Sequence, residues 1–147
     1  MRGPDPQVVI LGAGICGLSC AVALGEAGLR VAVVADAPPE ATVSAVAGGL
    51  WFPYGVEEGP AGLARARASY DRFEALAAAE PAAAVTMVDY LHLSGRDPWW
   101  SAAMPEGRVR EAPGGFLARV PLARSPEHLA YLTARARALG GSFLRRR

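Results

Sequence analysis

Gly12-Ala-Gly14-Ile-Cys-Gly17 has the spacing of a turn that holds phosphate. The first glycine permits a tight strand-to-helix turn. The second leaves room for a pyrophosphate against the backbone, and the third lets helix and strand pack closely. A helix opening at such a turn presents unpaired N–H groups and a positive dipole end, worth about 0.3–1 kcal/mol and up to ~2 when partly buried. Asp36 follows Gly17 by nineteen residues, the separation at which an acid accepts hydrogen bonds from a ribose. The loop alone does not separate FAD from NAD. An acid at Asp36 disfavours a 2′-phosphate and hence NADP. A ligand-free turn with three glycines would lose backbone entropy for no structural return.

The other reactive side chains are few. Cys16 and Cys20 stand four apart in what should be one helix, where a disulfide would strain the geometry. They are expected to be small buried residues in a reducing, cytoplasmic compartment. His92 and His128 are the only histidines, and no zinc-ligand spacing exists, so no metal is expected. His92 alternates with apolar neighbours and is expected to be a surface or packing residue. His128 falls in a first helical turn and is expected to be exposed. All 15 basic residues are arginine, which excludes a lysine nucleophile or base within this chain.

The elements that must position the loop follow from periodicity. Gln7–Leu11 and Arg30–Ala35 are short β-branched runs, hence buried strands. Between them Leu18–Ala27 is a helix that Gly28 stops. This β-α-β unit should have parallel strands and a right-handed crossover. Met1–Pro6 is expected to be a frayed lead-in. Residues 37–59 form a long irregular connection, a kind that is usually functional in compact domains. Ala61–Ala79 is helical, with Leu63, Ala66, Tyr70, Phe73 and Ala77 on one face, and Pro81 ends it. Val85–Leu93 is a strand. Gly95–Gly115 is loop-rich and contains Asp97-Pro-Trp-Trp100. Phe116–Val120 is a strand. Ser125-Pro-Glu supplies an N-cap oxygen, a proline at N1 and a first-turn acid. Leu129, Leu132, Ala136 and Leu139 form the stripe of that helix, Gly140-Gly141 stop it, and Ser142–Arg145 begins another strand.

With 147 residues, 52% hydrophobic and 20% charged, the chain is globular and of single-domain size. A net charge of +1 gives no reason to expect nucleic acid or an anionic membrane. The apolar run Val8–Leu11 breaks at Gly12, so neither a membrane span nor a signal peptide is expected. Alanine and arginine enrichment without lysine points to a GC-rich, bacterial genome.

Val46-Ala-Gly-Gly-Leu-Trp-Phe-Pro-Tyr54 is the most specific segment. Together with Gly12–Gly17 and Val34-Ala-Asp36 it resembles the amino-terminal part of the D-amino-acid oxidase family, which includes D-aspartate oxidase. Asp97-Pro-Trp-Trp100 resembles that family's Asp-Pro-x-Trp, and Ser125–Arg145 resembles its helix and strand before a second FAD contact. The resemblance implies that Gly12, Ala13, Gly14, Ile15 and Gly17 hold the FAD pyrophosphate and Asp36 the ribose. Thr42, Val43 and Ser44 fall at positions where hydroxyl residues touch the cofactor; Val43 departs, keeping only a backbone contact. Ala37 replaces an arginine of mammalian members. Gly48, Gly49 and Leu50 match residues against the flavin. Phe52, often glutamine in mammalian members, and Tyr54 match residues lining the substrate pocket. Trp99 and Trp100 are expected to be packing residues.

The implied fold is α/β: a Rossmann-like FAD-binding β-α-β unit with the start of an interleaved α+β substrate domain, incomplete. The expected divisions are 1–80, FAD-binding with the flavin-side loop 37–59; 81–124, part of the substrate domain; and 125–147, returning to the FAD-binding domain. The implied activity is oxidative deamination of D-amino acids by FAD and dioxygen to 2-oxo acids, ammonia and hydrogen peroxide. The arginine and tyrosines that hold substrate lie in the family's carboxy-terminal half. No catalytic residue is therefore expected here, and the chain is expected to be an amino-terminal fragment inactive alone. A complete protein is compatible with a homodimer. Two alternatives fit the same residues: a non-catalytic nucleotide-binding module or one subunit of a split flavin enzyme, and an NAD-dependent dehydrogenase domain.

Overall fold

The computed structural model of the protein describes residues 5–56, 58–96 and 98–146; the first four residues of the expected lead-in lie outside them. In chain order the elements are β1 (Val8–Leu11), α1 (Ile15–Glu26), β2 (Val31–Ala35), α2 (Pro60–Ala79), β3 (Val85–Leu93), β4 (Val109–Ala112), β5 (Gly115–Ala123), α3 (Ser125–Ala138) and β6 (Ser142–Arg145). They form two compact units. One joins the described residues up to Gly48 with those from Arg124 onward, and the other is Gly49–Ala123.

The first unit is a parallel sheet in the order β1-β2-β6. Val8 pairs with Val31 and Leu11 with Val34, while Ala32 pairs with Ser142 and Ala35 with Arg145. Parallel neighbours need a crossover, and α1 and α3 provide the two connecting helices. Leu18, Ala21 and Val22 of α1 meet Val31 and Val33 of β2 and Leu129, Leu132 and Ala136 of α3. Gly28, at φ +81°, ends α1 with its N–H on the Gly25 carbonyl, the left-handed cap that glycine adopts without a Cβ penalty.

Four expectations change in this unit. β1 alternates between half-buried and exposed, with Leu11 82% exposed, because the described helices leave its other face uncovered. Cys16 and Cys20 are exposed rather than buried; the buried face of α1 is that of Leu18, Ala21 and Val22. His128 is buried, 3% exposed, and stacks on the Tyr131 ring. Ser125 is already the first residue of α3 and does not cap it; its hydroxyl instead donates to the Ala47 carbonyl at 2.7 Å.

The second unit is an antiparallel sheet in the order β3-β5-β4. β3 and β5 pair from Val85–Ala123 to Leu93–Gly115. Leu50 bridges to Leu122, and the Trp51 N–H donates to the Pro121 carbonyl at 2.8 Å. Ala66 and Tyr70 of α2 pack with Trp51, Trp100, Ala118 and Val120. The expected strand over Phe116–Val120 is longer, and β4 occupies a stretch expected as loop. Val109-Arg-Glu-Ala112 has only one β-branched residue, so pairing with β5, not propensity, makes it a strand. α2 packs within this second compact unit, which begins at Gly49.

Candidate functional site

The glycine turn joins β1 to α1. Gly12 adopts φ +99° and its N–H donates to the Val34 carbonyl at 2.8 Å. Gly14 is the N-cap of α1 in extended conformation and provides no side-chain cap. The Leu18 N–H reaches back to its carbonyl at 3.0 Å. A Cβ on Gly17 would collide with the Gly12 carbonyl oxygen and meet Ile10 Cγ2 at 3.3 Å. The third glycine therefore permits the helix to sit against the strand. Ala13 is buried and Ile15 half-buried. No acid occupies the first turn of α1, so its positive end is not neutralised from within.

The segment after β2 returns to this turn. It makes 3₁₀ turns at Pro39–Ala41 and Val43–Val46. Ser44 Oγ accepts the Ile15 N–H at 3.0 Å and stands 3.0 Å from where a Gly14 Cβ would lie. Thr42 Oγ1 donates to the Pro39 carbonyl at 2.7 Å, and the Val43 side chain points away, 84% exposed. Asp36 is exposed at the end of β2. Its backbone carbonyl accepts Arg145 Nε at 3.1 Å; among the described residues its carboxylate has no hydrogen-bond partner, which leaves its oxygens for a ligand's hydroxyls. A cavity of about 180 Å³ opens here, bordered by Ala13, Ala35, Ala37, Pro38, Phe143 and Arg145. The Arg137 guanidinium lies 5.0 Å from the Phe143 ring centroid. Phe143 and Arg137 were not among the sequence candidates; only their place on the last strand and its preceding helix hinted at them.

The remaining candidates belong to the second unit, apart from Gly48, which is exposed at the end of the first. Gly49 and Leu50 are half-buried beside β5, with the Gly49 carbonyl accepting the Ala123 N–H at 2.9 Å. Phe52 and Tyr54 border a cleft of about 550 Å³ together with His92, Arg96, Trp99 and Trp100. Trp100 is buried in the core and Trp99 half-buried, so packing and cleft wall are one role here. Asp97 lies outside the described residues. His92 faces the cleft, with Tyr90 Oη 3.4 Å from its Nδ1. Strand alternation does not reveal the cleft that His92 shares with Phe52 and Tyr54.

A glycine turn held by Ser44, a helix end with no first-turn acid, an acid at the next strand with no partner among the described residues and an adjoining apolar cavity together fit a dinucleotide's pyrophosphate, ribose and base. None of the described helices is long and apolar enough to cross a membrane.

The chain is similar to known proteins. The chain is 37% identical to a D-amino-acid oxidase of Rubrobacter xylanophilus over 92% of its own length and 45% of that protein's. It is 40% identical to a D-amino-acid oxidase of Streptomyces coelicolor over 94% of its length and 46% of that protein's. It thus spans about half the length of the curated relatives it matches. Among solved structures, an L-amino acid deaminase from Proteus vulgaris shares its fold with a TM-score of 0.72 at 14% identity, over 99% of this chain and 42% of that one. The family model described as FAD dependent oxidoreductase matches residues 7–147, and the chain belongs to that family.

Proposed function

We propose that the protein contributes the FAD-binding loop and flavin-side segment of an oxidase that deaminates D-amino acids to 2-oxo acids, releasing ammonia and hydrogen peroxide. The observation that carries this is the Gly12–Gly17 turn, to which Ser44 ties the segment after β2, with an Asp36 carboxylate that has no partner among the described residues. When bound, FAD supplies the two-electron acceptor for oxidation at the substrate α-carbon, with dioxygen as the final oxidant.

This chain's residues supply orientation and electrostatics. The backbone of Gly12, Ala13, Gly14, Ile15 and Gly17 would face the pyrophosphate at the positive end of α1. Asp36 would accept the ribose hydroxyls. Thr42, Val43 and Ser44 would flank the phosphates, with Val43 acting through its backbone alone. Gly48, Gly49 and Leu50 would lie along the flavin, and Phe52 and Tyr54 would line the substrate pocket. The 37–40% identity to proteins named D-amino-acid oxidase supports the substrate class.

The test is cofactor identity. Purified protein is denatured and the released chromophore recorded. Flavin absorbance in near-stoichiometric amount is expected. Released nicotinamide without flavin would overturn the proposal.

A further inference from the structure

The parallel sheet sets its strand ends side by side in the order β1-β2-β6. The glycine turn follows β1 and Asp36 follows β2. A nucleotide whose phosphates meet the first and whose ribose meets the second directs its base toward the end of β6. The cavity of about 180 Å³ opens there.

Strand alternation puts Phe143 and Arg145 on one face of β6. Their register partners on β2 are Val33 and Ala35. All four border the cavity, and Arg137 reaches it from α3. Ala35 and Ala37 bring only methyl groups to it, which leaves room beside Arg145.

The two guanidiniums differ in what holds them. Arg137 lies over the Phe143 ring, 5.0 Å from its centroid. The exposed Arg145 is moored through Nε to the Asp36 carbonyl at 3.1 Å. The Arg146 N–H donates to the Ala35 carbonyl at 3.0 Å, so β6 grips two successive carbonyls at the end of β2. No ion pair engages Arg145 among the described residues, and no carboxylate borders the cavity. A guanidinium is planar, weakly hydrated and stacks on aromatic faces. At the rim of an apolar cavity it offers a face to a flat heterocycle, and a two-ring base covers more of that face than a one-ring base does.

We propose that Arg145 is a specificity-determining residue of the nucleotide site, its guanidinium plane stacking on the base and selecting a purine. This rests on the FAD reading, in which Asp36 holds the ribose beside it.

The test measures ADP and CDP affinity by calorimetry on the purified protein. The two ligands share ribose and diphosphate and differ in the base. FAD uptake is read by flavin fluorescence on the same samples. Wild type should bind ADP roughly tenfold more tightly than CDP, the scale of one stacked base. Arg145→Ala should bring the two within about twofold of each other and weaken FAD by roughly tenfold. Arg145→Lys keeps the charge without the plane and should lose the same preference; it also carries the test should the alanine variant not fold. Equal affinity for ADP and CDP in a wild type that takes up FAD overturns the base selection and leaves FAD binding standing. An unchanged ratio in either variant overturns the role of the guanidinium plane. A wild type that takes up neither FAD nor ADP overturns the FAD reading and, with it, this assignment.

Discussion

Ser44 Oγ accepts the backbone N–H of Ile15 at 3.0 Å across 29 residues of sequence. The bond fastens the connection after β2 to the first turn of α1. It also places the hydroxyl 3.0 Å from the position of a Gly14 Cβ, so the two residues are sterically linked. Gly14→Ala should push the Ser44 hydroxyl away and break its bond to Ile15. Ser44→Ala should cost about 0.5–1.5 kcal/mol, the net worth of one hydrogen bond. In the double variant the clash is gone, so the combined loss should be smaller than the sum of the two. Urea unfolding of all four proteins measures this, and strict additivity would rule the linkage out.

Gly17 is constrained by backbone, not by a side chain that can turn aside. Its missing Cβ would collide with the Gly12 carbonyl oxygen. Gly17→Ala should therefore separate α1 from β1 and destabilise by about 1–3 kcal/mol, the range for overpacking. It should also lower flavin retention, because the turn proposed to face the phosphates moves with Gly12. A variant with wild-type unfolding midpoint would show that the helix is not seated as described.

Asp36 offers its carboxylate to a ligand while its backbone carbonyl is held by Arg145. Asp36→Ala keeps the backbone bond and removes the acceptor. FAD affinity should fall by about 1.5–3 kcal/mol, the value of hydrogen bonds to a charged group, with little change in the thermal midpoint of the ligand-free protein. Fluorescence titration with FAD reads the first quantity and a thermal melt the second. An unchanged dissociation constant would remove Asp36 from the ribose site.

Much of this was legible in the sequence, and the rest was hidden for physical reasons. Spacing and β-branched runs placed β1, α1, β2 and β3, because those signals are local. Gly28 and Gly140 marked helix ends through the positive φ they adopt. β4 was missed because its partner β5 creates it. The burial of His128 and the exposure of Cys16 and Cys20 depend on which helix face meets a neighbour, and the apolar residues of α1 are spread around the helix, so its pattern does not mark that face. The Ser44–Ile15 bond and the place of His92 in an aromatic cleft are tertiary. No spacing rule predicts a hydroxyl reaching back 29 residues, or a strand histidine against the Phe52 ring.

Tyr70 gives a pH-dependent test of the second unit's core. Its ring is fully buried, edge-on to Trp51 at 5.2 Å, and its hydroxyl donates to the Arg119 carbonyl at 2.8 Å. Burial, with Glu74 adding to it, holds the phenol above its ordinary value of 10.0. Below that value the phenol is neutral in both states and contributes its hydrogen bond in full. As pH rises past it, the unfolded chain loses the proton first and binds fewer protons than the native state. Stability must then fall with pH. Tyr70→Phe leaves the Arg119 carbonyl without that donor and should cost about 1–3 kcal/mol near neutrality. The variant should also lose this component of the alkaline decline, since nothing at that position titrates. Urea midpoints for both proteins, taken from neutral pH to beyond 10.0, should converge as the medium becomes alkaline. Parallel curves would mean that the Tyr70 phenol ionises as readily in the native state as in the unfolded chain.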